Sequence, residues 1–117
     1  MTSVNDHHDA AREQYISHKL YLERRAGNRY YNLGYAYYKE ATDVNWNIVA
    51  MLTTHFKPAW INFEIALLFN KNDVDAAARK KDMCDEFAKT WPGSIPTQQG
   101  LNQWTAEAKK EFRECKC

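Results

Sequence analysis

The chain is poor in residues that break helices, with three prolines and four glycines among 117 residues. No segment approaches the roughly 20 consecutive apolar residues of a membrane-spanning helix, and the first thirty residues hold no apolar stretch typical of a signal peptide. Cysteine is scarce, and the odd number of three (Cys84, Cys115 and Cys117) does not make a disulfide framework. These absences exclude a disulfide-stapled scaffold and predict a protein of the reducing cytoplasm.

The chain also lacks an excess of charge of either sign. Sixteen basic and fifteen acidic residues leave a formal net charge of +1, which gives no electrostatic reason to expect nucleic acid or a membrane surface as the main partner. The basic cluster Arg24, Arg25 and Arg29 is interpreted as a solvated helix face. What is abundant is apolar side chains (44%) and aromatic rings (14%), a composition typical of one folded domain spanning residues 1–117.

The hydrophobic pattern predicts an all-α fold of about six short antiparallel helices, since no run alternates as a strand does. The first helix is expected to reach about Ala26 and to stop at Gly27-Asn28, and the second to end near Ala41. Thr42 or Asp43 would cap a third helix, which Pro58 ends while opening a fourth. Asn70-Lys71-Asn72-Asp73 would cap a fifth helix that fades at Trp91, and Thr97 a sixth with the apolar stripe Leu101, Trp104, Ala108 and Phe112.

Residues 30–38, YYNLGYAYY, hold five tyrosines in nine positions. On a helix, Tyr30, Leu33, Gly34 and Tyr37 fall on one stripe, and Tyr31, Tyr35 and Tyr38 on a second about 100° round from it. The first stripe is interpreted as the core-facing one. The second either packs on a further neighbour or binds a partner, because tyrosine combines a large contact area with a hydroxyl group.

Residues 27–58 resemble one tetratricopeptide repeat, a helical hairpin of about 34 residues. Tyr30 stands where that pattern has tryptophan, while Leu33, Gly34, Tyr37 and the closing Pro58 match it. The second helix departs from the pattern, with Trp46 in place of alanine and Ala50 in place of phenylalanine. Residues 59–92 form a looser second hairpin, in which Glu64 occupies the glycine position. Residues 1–26 then form a first helix, and residues 97–117 a capping helix and tail. Another helical bundle is the alternative architecture.

The resemblance implies that the first helix of each hairpin lines a groove that receives a peptide or a helix. The partner-binding residues it implies are Tyr31, Tyr35, Tyr38 and Lys39 with the neighbouring Asn32, extended by Asn62, Ile65 and Phe69.

Other candidate sites are weaker. Glu64, within an apolar helix, lies either at an exposed edge, which is favoured, or against a basic partner such as a lysine. His7-His8-Asp9 and the terminal Cys115-Lys116-Cys117 lack further ligands nearby in sequence, so no metal or cofactor is expected. Cys84 has no neighbouring histidine to activate it.

These patterns predict a non-enzymatic protein–protein interaction module that binds a peptide or helix through a Tyr-rich face. The alternatives are a small helical inhibitor of another protein, of the immunity or phage anti-defence type, and a self-associating structural subunit. A small enzyme using Glu64 or Cys84 is a further alternative from a different class.

Overall fold

The computed structural model describes residues 25–114, which form four α-helices and contain no strand. Helix α1 occupies residues 25–43. A π-helical segment, Leu52–Phe56, leads directly into α2, Lys57–Phe69. Helix α3 is Val74–Thr90 and α4 is Gln98–Glu114. The all-α prediction is confirmed for these residues, but the predicted count of about six helices is not.

Helix α1 passes through Gly27 and Asn28, so the helix stop predicted there is wrong. The close approach of α2 favours a glycine at position 27, since a Cβ added there would lie 3.2 Å from the Cβ of Phe69. About two helical turns further along α1, a Cβ at Gly34 would lie 2.8 Å from the Phe63 ring and 3.1 Å from the Ala59 carbonyl oxygen. The two glycines therefore allow α1 and α2 to approach closely in an antiparallel pair.

The start of the predicted third helix is also wrong, because residues 44–50 form turns and the helix begins only at Met51. Asn45 and Trp46 adopt left-handed backbone angles, with φ of 53° and 51°, and the Trp46 N–H donates to the Ala41 carbonyl at 2.9 Å. This reversal places the Trp46 ring in the core, where it is 1% exposed. Burial of so large a ring outweighs the weak helix preference of this asparagine- and valine-containing segment.

Pro58 does not separate two helices as predicted. The helix continues from the π-helical segment into α2, with Pro58 in the first turn of α2. A proline ring clashes with the carbonyl four residues earlier and offers that carbonyl no N–H. The wider turn before Pro58, where the Lys57 N–H donates to the Leu52 carbonyl, removes the close approach that an α-helical turn would impose.

Helices α3 and α4 begin at the predicted caps. The Asp73 carboxylate accepts a hydrogen bond from the Ala76 N–H at 3.0 Å, and the Thr97 hydroxyl accepts one from the Gly100 N–H at 3.2 Å. The predicted stripe of α4 faces inward, with Ala108 buried and Leu101 and Trp104 packed against the core.

Helix α2 lies between α3 and α4 and supplies the centre of the core. The largest fully buried side chains are Trp46, Phe56, Phe63, Ile65, Met83 and Phe87. The rings of Trp46 and Phe56 each lie 5.6 Å from that of Phe87, centroid to centroid. In α3, Ala76 and Met83 are buried, whereas Ala77 is exposed and Cys84 half-buried.

Candidate protein-binding face

The side of α1 that meets α2 differs from the predicted one. Gly34 faces inward as expected, and Tyr30 is half-buried with its ring stacked on Phe69 at 5.9 Å. Leu33 and Tyr37, however, are 45% and 37% exposed, so their assignment to the core-facing stripe is wrong. Tyr38, from the second stripe, is buried instead.

The second stripe, Tyr31, Tyr35 and Tyr38, forms a row of contacting rings that we call the tyrosine face. The Tyr35 ring lies 6.1 Å from that of Tyr31 and 6.0 Å from that of Tyr38. Tyr31 also packs on Phe63 of α2, at 5.7 Å between centroids. The row is therefore anchored to the core at Tyr31 and Tyr38, and Tyr35 is its exposed member.

Arg79 of α3 completes the tyrosine face. Its guanidinium carbon lies 5.7 Å from the ring centroids of both Tyr35 and Tyr38, within the range of a cation–π interaction. Hydrogen bonding with the Tyr31 hydroxyl raises the pKa of Arg79, and Asp82 pairs with the guanidinium at 3.1 Å. These contacts hold the arginine and the three rings in one arrangement.

Glu86, two turns further along α3, fixes the inner end of the tyrosine face. Its carboxylate accepts hydrogen bonds from the Tyr38 hydroxyl at 3.1 Å, the Thr42 hydroxyl at 2.8 Å and the Trp46 indole N–H at 3.2 Å. Burial, and then the hydrogen bond to Glu86, raise the pKa of Tyr38 above its ordinary value. One carboxylate thus joins α1, the turns after it and α3.

Asn32 and Lys39 flank Tyr35, the exposed member of the tyrosine face, and the three form an exposed line on α1 because they are spaced three and four residues apart. Lys39 pairs with Asp43 at 2.7 Å. These three residues, all predicted partner contacts, are accessible to a protein partner.

The predicted contacts on α2 are placed differently. Ile65 is fully buried and, like the buried Tyr38, is not accessible to a partner. Phe69 is half-buried between Tyr30 and Phe112, whose ring centroid lies 4.9 Å away. The Asn62 amide donates to the Pro58 carbonyl at 2.8 Å. The face of α2 that carries Ile65 is inside the protein because α2 is covered by α1, α3 and α4.

Glu64 is not at an exposed edge, which was the favoured interpretation; it pairs with Lys80 of α3, the alternative considered. Both side chains are largely buried, 15% and 20% exposed. The Lys80 ammonium also lies 4.3 Å from the centroid of the Trp60 ring. These contacts make Glu64 a link between α2 and α3.

Burial and then the nearby Asp85 charge raise the pKa of the Cys84 thiol, the opposite of what an activated nucleophile needs. In the part of the chain that the structure describes, no three or more His, Cys, Asp or Glu residues are grouped to hold a metal ion. The His7-His8-Asp9 and Cys115-Lys116-Cys117 motifs lie outside the described residues. None of the described helices is both long and apolar enough to cross a bilayer.

Sequence reasoning missed Arg79 and Glu86, although a signal for them exists. The two residues are seven apart on α3 and share one helix face with Asp82 and Met83. Charged residues that share a helix face with an apolar one such as methionine indicate a face at the border of the core. Nothing in the sequence, however, shows that this face contacts the tyrosines of α1.

No protein-family model matches this chain, and neither a curated protein nor a solved structure shows significant similarity to it.

Proposed function

We propose that the protein is a non-enzymatic protein–protein interaction module, and that it binds a peptide or helix of a partner protein through Tyr35 with the flanking Asn32 and Lys39. The observation that carries the proposal is the tyrosine face with Arg79 held against it. Tyrosine and arginine are among the residue types enriched at the positions that dominate binding energy at interfaces. Their side chains already contact one another within the protein, so little ordering would be needed on binding.

Tyr35 is the side chain to change, because Tyr31 and Tyr38 also support the fold. Tyr35→Ser removes the exposed ring, and Tyr37→Ser is the matched control: it removes the same side chain, equally exposed (37% against 36%), from the other flank of α1.

The experiment uses the tagged full chain to capture proteins from native lysate, followed by affinity measurement with the purified partner. Tyr35→Ser is expected to raise the dissociation constant by about 30-fold, the effect of losing an interface residue worth about 2 kcal/mol, while Tyr37→Ser leaves it within a factor of about three. A partner bound equally well by wild type and Tyr35→Ser would show that this face is not the site. Circular dichroism of each variant confirms that the fold is retained.

A further inference from the structure

The flank of α1 opposite Tyr35 carries an exposed stripe with an ordered distribution of charge. We call it the outer stripe: Arg25, Arg29, Leu33, Ala36, Tyr37, Glu40 and Asp43, all of them exposed. Apart from the adjacent Ala36 and Tyr37, successive members are three or four residues apart, which keeps them on one side of the helix. The stripe is basic at its start, apolar in its middle and acidic at its end.

The outer stripe is complementary to a second copy of itself that runs in the opposite direction. In an antiparallel pair of α1 helices, Arg25 meets Asp43 of the other copy, Arg29 meets Glu40, and Leu33 meets Tyr37. The three pairs share nearly the same centre along the helix, between residues 34 and 35. One twofold axis therefore matches all of them, as an isologous interface requires. A parallel pair would bring like charges together.

The acidic end of the stripe is only partly explained by contacts within the protein. Glu40 and Asp43 lie in the last turn of α1, where negative charge opposes the helix dipole. Each has a neighbour, His55 at 3.4 Å and Lys39 at 2.7 Å, yet the side chains remain 72% and 58% exposed. Both carboxylates are thus accessible to cations of a second copy. Arg29, at the other end, lies over the Tyr30 ring at 5.5 Å.

From this pattern we infer that the outer stripe of α1 is a self-association surface, and that its partner is a second copy of this chain in antiparallel orientation. Leu33 and Tyr37 would supply the apolar contact, and the charges at the two ends would set the orientation. The contact is about 28 Å long at roughly 1.5 Å per residue. A single helix pair of that length lies at the small end of specific interfaces, so the dimer forms at micromolar to millimolar concentration.

The test is sedimentation velocity of the full chain over that concentration range, with two charge-reversed variants. Arg25→Glu with Arg29→Glu makes the stripe acidic, and Glu40→Lys with Asp43→Lys makes it basic. Each variant alone is expected to lose the dimer by like-charge repulsion, and an equimolar mixture of the two to recover it. Retained circular dichroism excludes unfolding as the cause, and recovery in the mixture does so independently.

Orientation is tested by disulfide trapping in a background where the three native cysteines are serine. Arg25→Cys mixed with Asp43→Cys should cross-link, and Arg25→Cys alone should not. A wild-type chain that stays monomeric throughout, or a dimer that neither charge-reversed variant weakens, would overturn the inference. So would loss of the dimer in Tyr35→Ser, since the tyrosine face would then be the self-association surface.

Discussion

Replacing Gly34 with alanine is expected to destabilise the protein, although glycine-to-alanine changes within helices normally stabilise. The usual gain is up to about 1 kcal/mol, because alanine loses less backbone entropy than glycine on folding. At Gly34 the new Cβ would lie 2.8 Å from two carbons of the Phe63 ring and 3.1 Å from the Ala59 carbonyl oxygen. Phe63 is fully buried, and the carbonyl belongs to the backbone of α2, so neither can move away freely.

Overpacking of a close contact costs about 1–3 kcal/mol, which sets the expected net loss at up to about 2 kcal/mol once the helix gain is subtracted. Gly100 is the matched control, since it lies in α4 and a Cβ there would meet nothing closer than the Thr97 hydroxyl at 3.6 Å. Gly100→Ala should therefore be neutral or stabilising. Gly100 lies in the first turn of α4, where alanine gains less over glycine than it does in a helix interior. The difference in stability between the two variants, up to about 3 kcal/mol, is therefore a lower limit to the cost of the close contact at Gly34.

The measurement is urea denaturation followed by far-ultraviolet circular dichroism, with free energies compared at a common slope. A Gly34→Ala variant as stable as Gly100→Ala would refute the close approach of α1 and α2 on which the fold description depends.

Two further predictions concern the inner end of the tyrosine face. Glu86→Ala leaves the buried Trp46 indole N–H and the Tyr38 hydroxyl without an acceptor and should cost about 1–3 kcal/mol in urea denaturation. Glu86→Gln keeps an acceptor oxygen and should cost less; equal losses would contradict the role assigned to that acceptor oxygen. The raised pKa of Tyr38 predicts a loss of stability at alkaline pH, because the unfolded chain releases the phenol proton at a lower pH than the folded chain does. The contribution of Tyr38 to the free energy of unfolding is intact below the ordinary pKa of 10.0 and is lost as the pH rises from there through the folded-state value. Tyr38→Phe has no such proton, so its free energy of unfolding should improve relative to wild type between about pH 8 and about pH 11, and a constant difference would contradict the assignment.

Patterns within short stretches of sequence correctly predicted those features of the fold that depend on short-range interactions. The Asp73 and Thr97 caps are short-range hydrogen bonds within one turn, and the inward stripe of α4 follows from helical spacing alone. Gly27-Asn28 has the composition of a helix end, but the close packing of α2 against Gly27 keeps α1 helical there. Residues 44–50 were misassigned because the burial of Trp46, a tertiary effect, decides their backbone.

The tyrosine face was found from the sequence, but its division into buried and exposed members was not. Both stripes of residues 30–38 are apolar enough to face a core. The side chains that determine which tyrosines are buried belong to α3. Arg79 and Glu86 reach the tyrosines across more than forty residues of chain, as in the Tyr38–Glu86 hydrogen bond with its separation of 48. Spacing along α1 carries no information about that meeting.

The π-helical segment Leu52–Phe56 bears on how relatives of this chain would be recognised. Met51 and Phe56 are both buried although they are five residues apart, a separation that the wider turn brings to the same side. A chain with an ordinary α-helical turn here would keep the same core with one residue fewer. Because the wider turn relieves the clash between Pro58 and the preceding turn, we expect the additional residue and the proline to be gained or lost together. An alignment of true homologues would then show a one-residue gap before Pro58 only in those members that lack the proline.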